Sequence, residues 1–143
     1  MGTDIHAHVE VQVAGQWLHF NAPHVERDYA LFTKMAGVRE ATGIEPIARP
    51  RGLPEDLSDV TRILWEREKD NAHSTSHLTR AEIEALGDWY LTRSDIRETQ
   101  GRFNGLEGVF GYVDSNPLAS MGGGGRKARE LFDDIRIVFW FDC

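Results

Sequence analysis

Polar and apolar residues follow two patterns along the chain, a strict alternation near each end and a helical spacing between. Ile5, Ala7, Val9, Val11 and Val13 alternate with Asp4, His6, His8, Glu10 and Gln12, the period of a half-buried strand. Ala14 and Gly15 supply a two-residue turn. A hairpin closed there pairs Val13 with Gln16, Val11 with Leu18 and Val9 with Phe20. That register gathers the apolar residues on one face and leaves Gln12 beside Trp17, and Glu10 beside His19, on the other. The closing IRIVFWFDC alternates as well, with Ile135, Ile137, Phe139 and Phe141 against Arg136, Val138, Trp140 and Asp142. Its second face is partly apolar, so this strand is expected at a central place in the sheet. VFGYV, Val109 to Val113, is expected to pair with it across a loop holding Asn116, Pro117 and the tract Gly122 to Gly125, although its glycine weakens a strand interior.

The middle of the chain reads as helix. RDYALFTKMAGVRE carries Leu31, Phe32, Met35 and Val38 at helical spacing, and the turn formers Gly43 and Pro46 follow. IARPRGLPED is a Pro/Gly loop ending near Ser58, after which Val60, Ile63 and Leu64 mark a second helix. A third begins near Thr79, because Thr79-Arg80-Ala81-Glu82 has the form of a capping box, with Ile83 and Leu86 as its apolar stripe. The predicted class is α+β, an antiparallel sheet built from the N-terminal hairpin and C-terminal strands, with three or so central helices packed on one face.

Composition narrows the picture. A chain of 143 residues is expected to form a single domain over 1–143, too short for a TIM barrel. The net charge of -7 is spread along the sequence, which argues against general nucleic-acid binding, since phosphate contacts need a basic face. One cysteine, Cys143, leaves no intramolecular disulfide. No run of about eighteen apolar residues and no signal-peptide pattern is visible, so a cytoplasmic protein without a membrane partner is expected.

Several groups of residues have chemistry in reach. Asp4, His6 and His8 share one side of the first strand, about 7 Å between successive positions. Asp-x-His-x-His resembles the first metal-ligand motif of the amidohydrolase superfamily, whose barrel this chain is too short to build. A smaller divalent-metal site is one reading, and a solvated polar face is the other. If the first and last strands are antiparallel neighbours, Asp142 comes beside Asp4 and His6, completing a metal set of Asp4, His6 and Asp142. Trp140 and Arg136 then lie further along the same face, where the indole either stacks on a base or packs under a helix.

The stretch HSTSHLT, His73 to Thr79, places hydroxyls just before a helix start, a natural anion site. Ser74 and Ser76 are candidate phosphate donors with His73 as general acid, while Thr79 is explained as the cap. The two-histidine phosphoesterases use His-x-Ser/Thr twice, and here only His73 fits. Arg27 sits at a helix start, where a cation needs a ligand or an acidic neighbour. Arg49 and Arg51 flank Pro50, suited either to phosphate or to salt bridges. The glycine tract before Arg126 and Lys127 lacks the Gly-Lys-Ser/Thr ending of a phosphate loop.

The ordered blocks DIH, RDYALF with AGVR, PIARPRGLPEDLS, HSTSHLT and DIRIVFWFD resemble a family of small phage and prophage proteins, over most of the chain. Family members read RNY in place of RDY and HSxS, an aromatic residue and LT in place of HSTSHLT. His8, Asp28 and His77 therefore depart from the pattern, and Asp4, His6, Arg27, His73, Ser74 and Ser76 match it. The resemblance supplies a setting and no activity. It implies a protein of the bacterial host cytoplasm during infection, a class that includes factors that bind or destroy nucleotide immune signals. The arginines, the hydroxyls at a helix start, the histidine and the aromatic wall suit capture of a nucleotide or nucleotide-derived phosphorylated small molecule, with counter-defence as the purpose. Arg27, Arg49 and Arg51 would neutralise phosphate, Ser74 and Ser76 would donate hydrogen bonds, and Trp140 would stack. A metal- or histidine-dependent phosphodiesterase using Asp4, His6, His73 and Asp142 is the alternative, and an acidic protein inhibitor of host machinery the second. An aromatic face on the last strand is the ground for expecting a homo-oligomer.

Overall fold

The computed structural model describes residues 2–93 and 132–143. In chain order the elements are β1 (Asp4–Val13), β2 (Gln16–Asn21), α1 (Tyr29–Ala36), α2 (Asp59–Glu68), β3 (Ala72–Leu78), α3 (Arg80–Leu91) and β4 (Asp134–Asp142). The four strands form one antiparallel sheet in the order β2-β1-β4-β3. The α+β class and the sheet built on the hairpin and the last strand are as the periodicity predicts. VFGYV and the glycine tract lie outside the described residues.

The hairpin turns at Ala14 and Gly15, both at positive φ (51° and 78°), the geometry whose twist matches that of the strands it joins. Val13 pairs with Gln16, Gln12 with Trp17, Val11 with Leu18 and Glu10 with His19. The register then shifts between Val9 and Glu10, so that Val9 faces Asn21. The expected pairing of Val9 with Phe20 is thus displaced by a bulge, the extra residue falling in β2.

β1 and β4 are the two inner strands, paired from Asp4 with Asp142 to Gln12 with Asp134. Both faces of β4 are buried. Ile135, Ile137, Phe139 and Phe141 join Ile5, Ala7, Val9 and Val11 under α1 and α3, which contribute Leu31, Phe32 and Met35, and Ile83, Leu86 and Tyr90. On the opposite face Val138 and Trp140 pack with Leu57, Leu64 and Trp65. Full burial of such side chains stabilises by about 1.5–3 kcal/mol each.

The helices therefore cover both faces, α1 and α3 on one and α2 on the other, which corrects the one-face arrangement expected from sequence. Of the stripe expected for α2, only Leu64 packs inward. Val60 and Ile63 are half exposed while Thr61 is buried, because α2 lies over the polar face of the sheet. The aromatic face offered as a dimer surface is covered by this helix, so that ground for an oligomer is removed.

A second correction concerns HSTSHLT, which is mostly strand β3 rather than a turn entering a helix. It pairs with β4 at Ala72–Asp142, His73–Phe141, Ser76–Phe139 and Leu78–Ile137, with a bulge between His73 and Ser76. The helix start is where the capping box places it: Thr79 Oγ1 accepts from Glu82 N, and Thr79 N donates to Glu82 Oε1 at 2.9 Å.

Candidate active site

The alternation of β1 and β4 aims Asp4, His6, His8, Arg136, Val138, Trp140 and Asp142 at the α2 side of the sheet. At the open end of that face His6 Nε2 lies 2.6 Å from Asp142 Oδ2. Its other nitrogen, Nδ1, is 3.7 Å from Glu68 Oε2 at the end of α2. Trp140 fixes that carboxylate, its indole N–H donating to Glu68 Oε2 at 2.6 Å. The imidazole lies near-parallel to the indole at 6.5 Å. The three polar side chains stay about one-third or more exposed, at 34% for His6, 35% for Asp142 and 42% for Glu68. A histidine held by one carboxylate, with a second carboxylate behind its free nitrogen, is thereby open to a small molecule.

Two small clefts meet at His6 and Glu68. One, of about 160 Å³, is lined by Arg67, Asn71, Trp140 and Asp142. The other, of about 230 Å³, is lined by His8, Ala22, Pro23 and His24.

Behind this end lies a more enclosed set. His8 stacks on Trp140, ring centres 4.7 Å apart, and its Nδ1 is 3.1 Å from His19 Nε2. Burial, reinforced by the neighbouring His19 and His6, pushes His8 down to about 4 against an opposing pull from Glu10. Burial lowers His19 as well. His8 is therefore neutral at pH 7 and serves as packing with a hydrogen bond.

Deeper still, Glu10 is fully buried and Arg136 nearly so. Arg136 Nε donates to Glu10 Oε1 at 2.8 Å, its Nη1 reaches Asp56 Oδ1 at 2.6 Å, and its plane lies 3.9 Å over the Trp17 ring. The other Glu10 oxygen accepts from Ser58 N at 3.1 Å, from Thr61 Oγ1 at 2.7 Å and from Ser58 Oγ. Burial alone raises a carboxyl, but the bonds from Ser58, Thr61 and Arg136 outweigh it and hold Glu10 below its ordinary value. This network anchors α2 to the sheet. Sequence reasoning missed it; the signal was Glu10 on the polar side of β1, facing Arg136 once β1 and β4 are paired.

The residues expected to form one ligand site are dispersed. Arg27 grips Asp4 through two bonds of 2.7 and 3.2 Å, and this partner answers the question its position raised. The guanidinium bonds hold the Asp4 carboxyl below its usual range. Arg51 makes a two-pronged pair with Glu82, both bonds at 2.8 Å, and the exposed Arg49 stands 3.8 Å from Glu40. Ser76 is buried and accepts from Arg51 N at 3.2 Å, and Ser74 bonds to its neighbour His73. Trp140 is fully buried and offers no open stacking face. The phosphate cradle expected from Arg27, Arg49, Arg51, Ser74, Ser76 and Trp140 does not assemble, because the acidic side chains of the chain itself take up the guanidiniums.

The set Asp4, His6, His73 and Asp142 also divides. Asp142 and His6 meet as the strand pairing predicts. His73 shares the opposite face with Phe141, on which its ring stacks at 6.1 Å, so it cannot act at the same centre as His6. Among the described residues no three His, Cys, Asp or Glu side chains converge as a metal cage. Asp4 is committed to Arg27, which corrects the metal set Asp4, His6 and Asp142 at its first member.

No helix among the described residues is long and apolar enough to cross a membrane. Comparison with protein-family models, with curated proteins and with solved structures gives no match.

Proposed function

We propose that the protein is a histidine-dependent hydrolase of a small polar molecule, with His6 as the proton-transfer group. The observation that carries this reading is the placement of His6, bonded at 2.6 Å to Asp142 and standing at the junction of two clefts. A carboxylate can only accept, so neutral His6 carries its proton on Nε2 and donates it to Asp142. Nδ1 then bears the lone pair, takes a proton from a water that attacks the acyl carbon of an ester or amide, and returns it to the alcohol or amine that leaves as the old bond breaks. Glu68, fixed by the Trp140 indole, stabilises the imidazolium that results. Asp142 orients the ring and holds the tautomer, the division of labour familiar from carboxylate–histidine pairs.

The two carboxylates beside His6 disfavour an anion, so a neutral or cationic substrate fits better than a free phosphate. This reading keeps the hydrolase of the sequence-based alternative and drops His73, Asp4 and the metal from its machinery.

The test is incubation with a panel of small esters and amides alongside cyclic and linear nucleotides, followed by chromatography. New products are expected from at least one neutral or cationic member. His6→Ala should lower that turnover by about 100-fold or more, the range for losing a general base. Asp142→Asn should lower the rate and alter its pH profile. Recovery of intact nucleotide alone would replace catalysis with capture, and neither products nor retention would end both readings.

A further inference from the structure

A second reactive pair lies on the other face of the sheet. Where β4 ends, Cys143 comes beside the start of β3, and its Sγ stands 3.2 Å from His73 Nε2. Both residues are exposed. The other nitrogen of His73, Nδ1, is 3.0 Å from Ser74 Oγ, and the ring rests on Phe141 at 6.1 Å with an interplanar angle of 26°. Thr3 Oγ1 approaches the sulfur at 3.9 Å. A nucleophile within reach of a base, itself oriented by a third group, is the general signature of an activated side chain.

We propose that Cys143 and His73 act as a thiol–imidazole pair that reacts with small-molecule disulfides, making Cys143 a site of reversible S-thiolation. Ser74 accepts the Nδ1 proton of His73, which leaves the Nε2 lone pair facing the thiol. Nε2 takes the thiol proton as the sulfur attacks one sulfur of the disulfide. The new S–S bond forms while the old one breaks, and the departing thiolate recovers the proton from the imidazolium. The small disulfide is the oxidant: Cys143 is oxidised to the mixed disulfide and one half of the reagent leaves as a thiol. Exchange of this kind needs access and a proton acceptor, both present here. Acyl transfer would also need donors aimed at an oxyanion, whereas the groups bonded to Cys143 among the described residues are His73 and Thr3.

The experiment is a time course of intact mass for the full chain with oxidised glutathione. One glutathionyl group should add to the protein, be lost on reduction, and be absent in Cys143→Ser. His73→Ala and His73→Gln should each slow the addition by about tenfold or more and change its dependence on pH. Thermal melts check that these exposed substitutions leave the fold intact. Equal rates and equal pH profiles in the protein and both His73 variants would overturn the proposal. So would addition to the unaltered protein at the rate and pH dependence of free cysteine, a comparison that needs no variant.

Discussion

Burial opposes the protonation of His8, and His19 at its Nδ1 and His6 two residues before it add to the effect against an opposing pull from Glu10. The His8 value of about 4 lies below the ordinary 6.5, so between those limits the unfolded chain binds the proton and the folded one does not. Stability is then complete above pH 6.5 and falls as the pH drops toward 4. His19 is shifted in the same direction by its burial. Glu10 adds to the loss lower down, since a carboxyl held below its ordinary 4.5 gives up its contribution as the pH falls through its folded value. The urea midpoint should therefore drop between pH 7 and 5, with His8 accounting for about 2 kcal/mol. His8→Gln should flatten that part of the profile. Superimposable profiles for the two proteins would show that His8 does not govern it. At this scale the sequence showed that Asp142 comes to His6, because two alternating terminal strands of one sheet have few ways to pair. Whether Trp140 would stack on a ligand or pack under a helix, and whether Arg27 would meet a ligand or an acidic neighbour, stayed open in the sequence, since both depend on which segment arrives beside them.

Among the elements, α2 joins its apolar packing through Leu64 and Trp65 to a buried polar attachment at its start. Ser58 stands at its N-cap but makes no side-chain capping bond. The Glu10 carboxylate, reaching up from β1, accepts the Ser58 N–H and the Thr61 hydroxyl and places negative charge at the helix start. Glu10→Gln leaves Arg136 buried with only Asp56 as an acidic partner, and breaking a buried pair in this way costs about 3–5 kcal/mol. Hydrogen exchange should show α2 losing protection more than α3, which has its own capping box at Thr79. Uniform loss across both helices would mean that Glu10 supports the whole sheet and not α2. This polar attachment also explains why the α2 stripe misled: Val60 and Ile63 have helical spacing, yet the face beneath the helix asks for Thr61. β3 was hidden for a related reason. His73, Ser74, Thr75 and Ser76 carry no apolar alternation, and the bulge after His73 breaks the period besides. Among the described residues β3 is paired on one side alone, at the edge of the sheet, where such sequences are tolerated.

In the molecule as a whole, the first and last strands are the inner pair, so the sheet closes through contacts between the most distant parts of the chain. The cost of closing so long a loop is met before any of those contacts form, which makes folding slow for a protein of this size. The same pairing brings His6 and Asp142 together, so the candidate active site exists only once β1 and β4 are joined. Ending the chain at Asp133 removes the strand paired with β1 from Asp4 to Gln12 and the one to which β3 is paired among the described residues. It also uncovers Ile5, Ala7, Val9 and Val11 beneath α1 and α3. The shortened chain should show no cooperative thermal transition and should elute as expanded or associated material, and adding a peptide of residues 132–143 should restore strand signal in circular dichroism. A cooperative transition in the shortened chain would show that the hairpin and helices hold together without the central strand, and that the long-range pairing adds the site to a fold already formed.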